Sequence, residues 1–219
     1  KDTDKYLRQC RISYTGTPLR QQFYHHNELP DWVPHNEEPL ILVMGGSQGA
    51  TGINQMLYYS LDFLLKKNIR IVHIVGFNED IQSIAHRNKN YVRRSFISNM
   101  AALMQNCDLV ISRSGSGAIN ELIHNQKPSI LIPFPNSKNN HQEKNALLLS
   151  SLGGAILINQ KVNSNIYLKE TLERIFENVG DSKNKYKILQ IMQKNMLRFH
   201  KDNPKKKIIK ILNQFRNDF

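Results

Sequence analysis

Three stretches of the chain concentrate residue types that bind anions and sugars. The first is Gly45-Gly46-Ser47-Gln48-Gly49-Ala50, which directly follows an apolar run and directly precedes a helical pattern. Glycines in such a turn let the backbone take positive φ and come close to a ligand, while the free N–H groups of the helix start favour phosphate oxygens. Ser47 adds a hydroxyl donor. The same spacing could also be no more than a tight turn. It lacks the Gly-Lys-Ser/Thr of a Walker loop and the full Gly-x-Gly-x-x-Gly of dinucleotide-binding turns.

The second stretch is Ser112-Arg113-Ser114-Gly115-Ser116-Gly117, again between an apolar run and a helical pattern, with Glu121 following. A carboxylate in that place can accept hydrogen bonds from both hydroxyls of a ribose, or it can simply complement the start of the helix dipole. The third is Pro133-Phe134-Pro135 followed by His141, Gln142 and Asn145. A side-chain amide presents a donor and an acceptor on one group, which suits sugar hydroxyls. His141 has no second His or Cys near it, so a metal site is not expected there and a loop-orienting role is.

These residues need a scaffold that brings strand ends together. From Pro39 onward short β-branched runs alternate with helical spacings. The expected strands are Leu40–Met44, Ile69–Val75, Val92–Ile97, Leu109–Ser112, Ser129–Pro133 and Ala155–Ile158. Ile53, Leu57, Leu61 and Leu65, four apart, predict an apolar helix face between the first two. Nearly continuous apolar strands separated by helices indicate a parallel sheet covered on both sides, hence a doubly wound, Rossmann-like α/β domain of six strands. Open sheets of that kind bind ligands at the carboxyl ends of their strands, where the two glycine-bearing turns would lie. Residues 1–38 fall outside the repeat and read as the end of a preceding domain plus a linker, with one short strand over Arg11–Gly16. Helices are expected over Ile166–Asn178, Asn184–His200 and Pro204–Phe215, the last of them set apart as 204–219 from a domain over 39–203.

Composition narrows the function classes. A 219-residue chain that is 40% hydrophobic can bury a substantial core. Its longest apolar runs fall far short of the roughly 20 residues of a membrane span. The opening Lys1-Asp2-Thr3-Asp4 has neither an initiator Met nor a signal segment, so the chain reads as starting within a longer protein. Cys107, in an apolar context, has the setting of a reduced core thiol, which points to the cytoplasm. The formal charge is +12, and the segment Lys183–Phe219 holds 11 Lys or Arg against 2 Asp or Glu. That excess is read first as a solvated helical face, next as attraction to an anionic membrane surface, and last as nucleic-acid binding, for which interleaved aromatics are lacking. Ile208, Ile209, Ile211, Leu212 and Phe215 could form one face that packs on another domain or lies in a lipid interface.

Taken together, these motifs and their order resemble the C-terminal domain of the MurG family of bacterial peptidoglycan glycosyltransferases. The resemblance runs from about Tyr14 to Asn159. It rests on Gly16-Thr17-Pro18-Leu19-Arg20, Gly45 to Ala50 with Asn54, Phe96-Ile97-Ser98-Asn99-Met100, Ser112 to Gly115 with Glu121, Pro133-Phe134-Pro135, and His141-Gln142 with Asn145. Thr17 stands where many relatives have Asn, and the loop 136–140 is a residue longer than in some.

The resemblance implies a GT-B fold whose C-terminal domain binds UDP-N-acetylglucosamine. It implies Ser47 as the phosphate-contacting hydroxyl with Gln48 beside it, Arg20 as a linker cation near the nucleotide, and the backbone of Ile97 as the reader of uracil. Glu121 is implied as the ribose-diol ligand, Ser116, Gly117 and Ala118 as a stretch along the diphosphate and sugar, and Gln142 as a sugar-hydroxyl ligand. The whole enzyme would transfer N-acetylglucosamine to an undecaprenyl-pyrophosphoryl-muramoyl-pentapeptide acceptor at the cytoplasmic face of the membrane, without metal or cofactor. Its catalytic base would lie in an N-terminal domain outside this chain, and a C-terminal helix would cross back to that domain. Rival expectations are another UDP-sugar GT-B protein, such as a UDP-N-acetylglucosamine epimerase or the donor-binding subunit of a split transferase, and a non-catalytic basic module.

Overall fold

The computed structural model describes residues 12–46, 49–77, 88–161, 163–177, 186–199 and 203–217. Six strands form one all-parallel sheet: β1 (Leu40–Met44), β2 (Arg70–Ile74), β3 (Tyr91–Arg94), β4 (Leu109–Ser112), β5 (Ser129–Leu131) and β6 (Ala155–Leu157). Their order across the sheet is β3-β2-β1-β4-β5-β6. The helices are α1 (Thr51–Lys66), α2 (Met100–Asn106), α3 (Ser116–Asn125), α4 (His141–Ser150), α5 (Ser164–Phe176), α6 (Lys187–Met196) and α7 (Pro204–Asn217).

Strand β1 shows why its sequence is apolar without alternation. Ile41 and Val43 point into a core closed by α1 and α5, whereas Leu40, Leu42 and Met44 point into a second core that includes residues of α2, α3 and α4. All five are buried, so each face contributes apolar area to the core. On α1 the buried stripe is Ile53, Leu57, Leu61 and Leu64, with Leu65 only half-buried. A strict four-residue spacing drifts around a helix of 3.6 residues per turn, so the stripe closes on Leu64 instead.

The segment before β1 is bound to the domain rather than strung beside it. Phe23, in a short 3₁₀ turn over Gln21–Tyr24, and Val33 are buried in the second core. His124 of α3 donates through Nε2 to the Phe23 carbonyl at 2.9 Å, and the Asn27 N–H donates to Gln105 Oε1 of α2 at 2.9 Å. The strand expected over Arg11–Gly16 is not found: Arg11 lies outside the described residues, and 12–16 pair with no strand. Ile12 and Tyr14 are exposed there, so the apolar residues that suggested a strand have no sheet face to join. The expected reduced thiol at Cys107 is free and buried in the second core, and burial pushes its pKa up to about 12; Cys10 lies outside the described residues. Among the described residues no helix is long and apolar enough to cross a membrane.

Candidate functional site

Strand order sets the place of the site. From β1 the chain builds outward through β2 and β3, then returns to lay β4 on the other side of β1, so the connections leaving β1 and β4 diverge. At such a switch point the strand ends leave a crevice. Met44 and Ser112 are partners in register, which sets the two glycine-bearing turns side by side at the mouth of that crevice. A cleft of about 830 Å³ opens between them.

The β1–α1 turn is shaped by close contacts. Gly46 and Gly49 have φ of +92° and +77°. A Cβ on Gly45 would stand 2.3 Å from the Ala50 nitrogen, and one on Gly49 would stand 2.3 Å from the Val75 carbonyl oxygen. Only glycine fits either position. Helix α1 begins after Ala50 and α3 after Gly115, and neither of these residues has a side chain that could cap the helix. The first N–H groups of both helices are thus left to solvent or to an anion. Helix α2 differs, because Asn99 accepts from the Ala102 N–H at 3.3 Å.

Glu121 stands on the second turn of α3, beyond the reach of a purely helix-dipole role. Its side chain is 14% exposed and pairs with Arg20, Nη2 to Oε1 at 3.0 Å. Burial raises its pKa above the ordinary carboxylate range, and the Arg20 charge and hydrogen bond oppose that rise. Gln142, on the first turn of α4, accepts from the Phe134 N–H through Oε1 at 2.9 Å, which turns its NH₂ the other way. The Ser114 hydroxyl donates to the Gln142 carbonyl at 2.8 Å, and Asn145 Nδ2 donates to the Ser114 carbonyl at 3.0 Å. These bonds lock the β4–α3 turn to α4. His141 donates through Nδ1 to the Lys138 carbonyl at 2.8 Å and orients its own loop.

Of the residues singled out from the sequence, Arg20, Ile97, Gly117, Ala118, Glu121 and Gln142 line this one cleft. Ser116 is exposed at the start of α3 and is not part of the lining. Ser47 and Gln48 lie outside the described residues. Arg113 and Gln160 are among the lining residues that carried no role in the sequence reading. Arg113 donates through Nη1 to the Ile132 and Pro133 carbonyls at 3.1 and 3.0 Å and lies over the Phe134 ring at 5.5 Å. Gln160, after β6, lines the cleft beside Gly52 in the first turn of α1. A signal for Arg113 was present, since a cation after a strand beside a proline-interrupted one has bare carbonyls to bind. Phe96 stacks on exposed Phe77, centroids 5.8 Å apart, at the mouth. Among the described residues no three His, Cys, Asp or Glu side chains gather as a metal set would.

The fold is thus a parallel sheet with two uncapped helix starts over its switch point, and the partly buried Glu121 carboxylate and the Gln142 amide face one cleft there. Residues 40–210 match the glycosyltransferase family 28 C-terminal domain, and the chain belongs to that family. Over its whole length it is 56% identical to the UDP-N-acetylglucosamine–N-acetylmuramyl-(pentapeptide) pyrophosphoryl-undecaprenol N-acetylglucosamine transferase of Prochlorococcus marinus strain MIT 9301, of which it covers 61%. The chain thus spans about three fifths of the length of such relatives. The crystal structure of Acinetobacter baumannii MurG superposes with a TM-score of 0.68 at 22% identity, over 84% of this chain and 52% of that one. CalG4, the calicheamicin glycosyltransferase, superposes at 0.59 and 16% identity, over 84% and 45%. The fold is the one shared by GT-B glycosyltransferases.

Proposed function

We propose that the cleft binds UDP-N-acetylglucosamine, and that this chain is the donor-binding part of an inverting transferase. That enzyme would pass N-acetylglucosamine to an undecaprenyl-pyrophosphoryl-muramoyl-pentapeptide. The observation that carries the reading is Glu121, a carboxylate drawn out of water into the cleft wall and held there by Arg20 at 3.0 Å. A ribose diol offers it two donors in place of lost water. The diphosphate would lie across the starts of α1 and α3, with Ser47 and Gln48 on one side and Ser116, Gly117 and Ala118 on the other. Uracil would meet the Ile97 backbone beside Phe96 and Met100. The NH₂ of Gln142 would donate to a sugar hydroxyl.

In transfer, negative charge gathers on the departing UDP. Fixed N–H groups at two helix starts and the Arg20 guanidinium stabilise it without rearranging, which is how preorganised donors lower a barrier. The general base belongs to the part of the enzyme outside this chain, so the chain alone binds donor and does not turn over. Titration calorimetry with UDP and with ATP tests the assignment: UDP binds, ATP binds at least tenfold more weakly, and equal or tighter binding of ATP overturns it.

The same proposal has the enzyme work peripherally at the cytoplasmic membrane face that carries its acceptor. Helix α7 exposes Lys205, Lys206, Lys207 and Lys210, and Leu212 is 60% exposed. Its primary role is packing on the rest of the enzyme, with a secondary electrostatic attraction of about 1 kcal/mol per basic residue near an anionic surface. Co-sedimentation with phosphatidylglycerol vesicles should be weak and abolished by salt. Strong, salt-insensitive binding that is lost on removing residues 204–219 would refute packing as the main role.

A further inference from the structure

Beneath the β1–α1 turn, the core under α1 contains a line of polar side chains. His73 on β2 is fully buried, yet both ring nitrogens have partners: Nε2 lies 2.9 Å from Asn54 Oδ1, and Nδ1 lies 2.9 Å from the Tyr91 hydroxyl. The direction of these bonds is set from one end. Asn54 donates through Nδ2 to the Val75 carbonyl at 3.1 Å, so its Oδ1 is the acceptor toward the ring. His73 Nε2 therefore carries the hydrogen, and Nδ1, left with its lone pair, accepts from the Tyr91 O–H. Burial, aided by the Arg93 charge, holds the imidazole pKa down at about 3, so one neutral tautomer persists.

The line ends at the cleft. The Val75 oxygen that Asn54 fixes is the atom on which Gly49 rests, so closely that a Cβ on Gly49 would stand 2.3 Å from it. Gly49 in turn donates its N–H to the Gly46 carbonyl at 3.0 Å, closing the turn. Burying three polar side chains carries a desolvation cost that an apolar cluster of the same volume avoids, so filling the core does not account for them.

We propose that His73 is a positioning residue for the donor cleft, holding the β1–α1 turn at its depth through Asn54 and the Val75 carbonyl. This rests on the cleft being the UDP site. The two conservative replacements of His73 separate the roles of its nitrogens. In H73Q the amide nitrogen reaches the place of Nε2 and keeps the bond to Asn54. In H73N the amide oxygen takes the place of Nδ1 and keeps Tyr91, and the bond from position 73 to Asn54 Oδ1 is lost. Both remove the ring, and a merely structural histidine would make the two variants alike.

The expected result is a UDP dissociation constant about tenfold weaker in H73N and within about twofold of the parent in H73Q. Amide hydrogen exchange at Gly49 should likewise be about tenfold faster in H73N alone. Equal affinity and equal Gly49 exchange in the two variants overturn the proposal. If the parent chain binds no UDP, the donor reading falls, while the exchange comparison still decides the role of His73. If H73N does not fold, the imidazole ¹⁵N spectrum of the parent decides: hydrogen on Nε2 supports the relay, and hydrogen on Nδ1 breaks it.

Discussion

The two glycine-bearing turns read alike in sequence and differ in what requires their glycines. In the β1–α1 turn the protein itself does: Gly49 combines a φ of +77° with no room for a Cβ, and Gly45 is pressed against the Ala50 nitrogen. In the β4–α3 turn Gly115 has an ordinary φ of −62°, and a Cβ on either Gly115 or Gly117 would meet nothing within 4 Å. The first turn is therefore held by its contacts with β2, through the Asn54 and His73 line. The second is held by its neighbours Ser114, Gln142 and Asn145, and its glycines keep space open in the cleft. One Gly-rich turn is part of the scaffold, and the other leaves open space at the cleft.

The sharpest break in this comparison is Gly49→Ala. A left-handed backbone and a 2.3 Å contact act together, and the expected cost to unfolding free energy is about 3 kcal/mol or more, read by denaturant titration. A cost below about 1 kcal/mol would mean that the turn relaxes away from Val75 and is no scaffold.

Next in size is Glu121→Gln on the ligand side. UDP should weaken by about 1.5–3 kcal/mol, and 2′-deoxy-UDP by less because it has only one ribose hydroxyl to lose. Equal weakening of both ligands would assign Glu121 to the helix rather than to the diol. The pH dependence has a definite sign. Burial raises the Glu121 pKa against the opposing Arg20 charge, so acidification protonates it before an ordinary glutamate. UDP affinity is full at neutral pH and falls as pH drops through that raised pKa, and in the Gln variant this acid limb disappears.

Smallest in free energy, and most diagnostic, is Gly117→Ala. At the second residue of α3 alanine is the better helix former, so stability should hold or rise by up to about 1 kcal/mol. UDP binding should nevertheless weaken about tenfold as the methyl group enters the cleft. Lower stability, or unchanged binding in a calorimetric titration, would erase the distinction between the two turns.

What the residues revealed in advance follows from where their partners lie. β1 and β4 were legible to the residue, because a central parallel strand is apolar on both faces and a turn bounds each one. β3 was read as Val92–Ile97 and runs over Tyr91–Arg94, because Phe96 and Ile97 are apolar for the cleft and not for the sheet. β5 was read to Pro133 and ends at Leu131, where Pro133 offers no N–H to continue a ladder. Of the cleft, Glu121, Gln142 and the glycines were visible as local patterns. The Arg20 to Glu121 pair joins residues 101 apart, and the Phe77 and Phe96 stack joins two strand ends; only the folded sheet brings such residues together.

The neighbouring of β1 and β4 also has a consequence for the order in which the molecule can be made. The Leu40 N–H donates to the Asp108 carboxylate at 2.7 Å across a sequence separation of 68, and the crevice exists only where those two strands lie together. A chain still emerging from the ribosome can pair β1 with β2 early, since α1 alone separates them. It cannot form the cleft until β4 has followed and crossed back. Contacts of such long sequence separation are slow to close, so the cleft is among the last features to form, and a chain arrested before residue 109 holds one turn and no site.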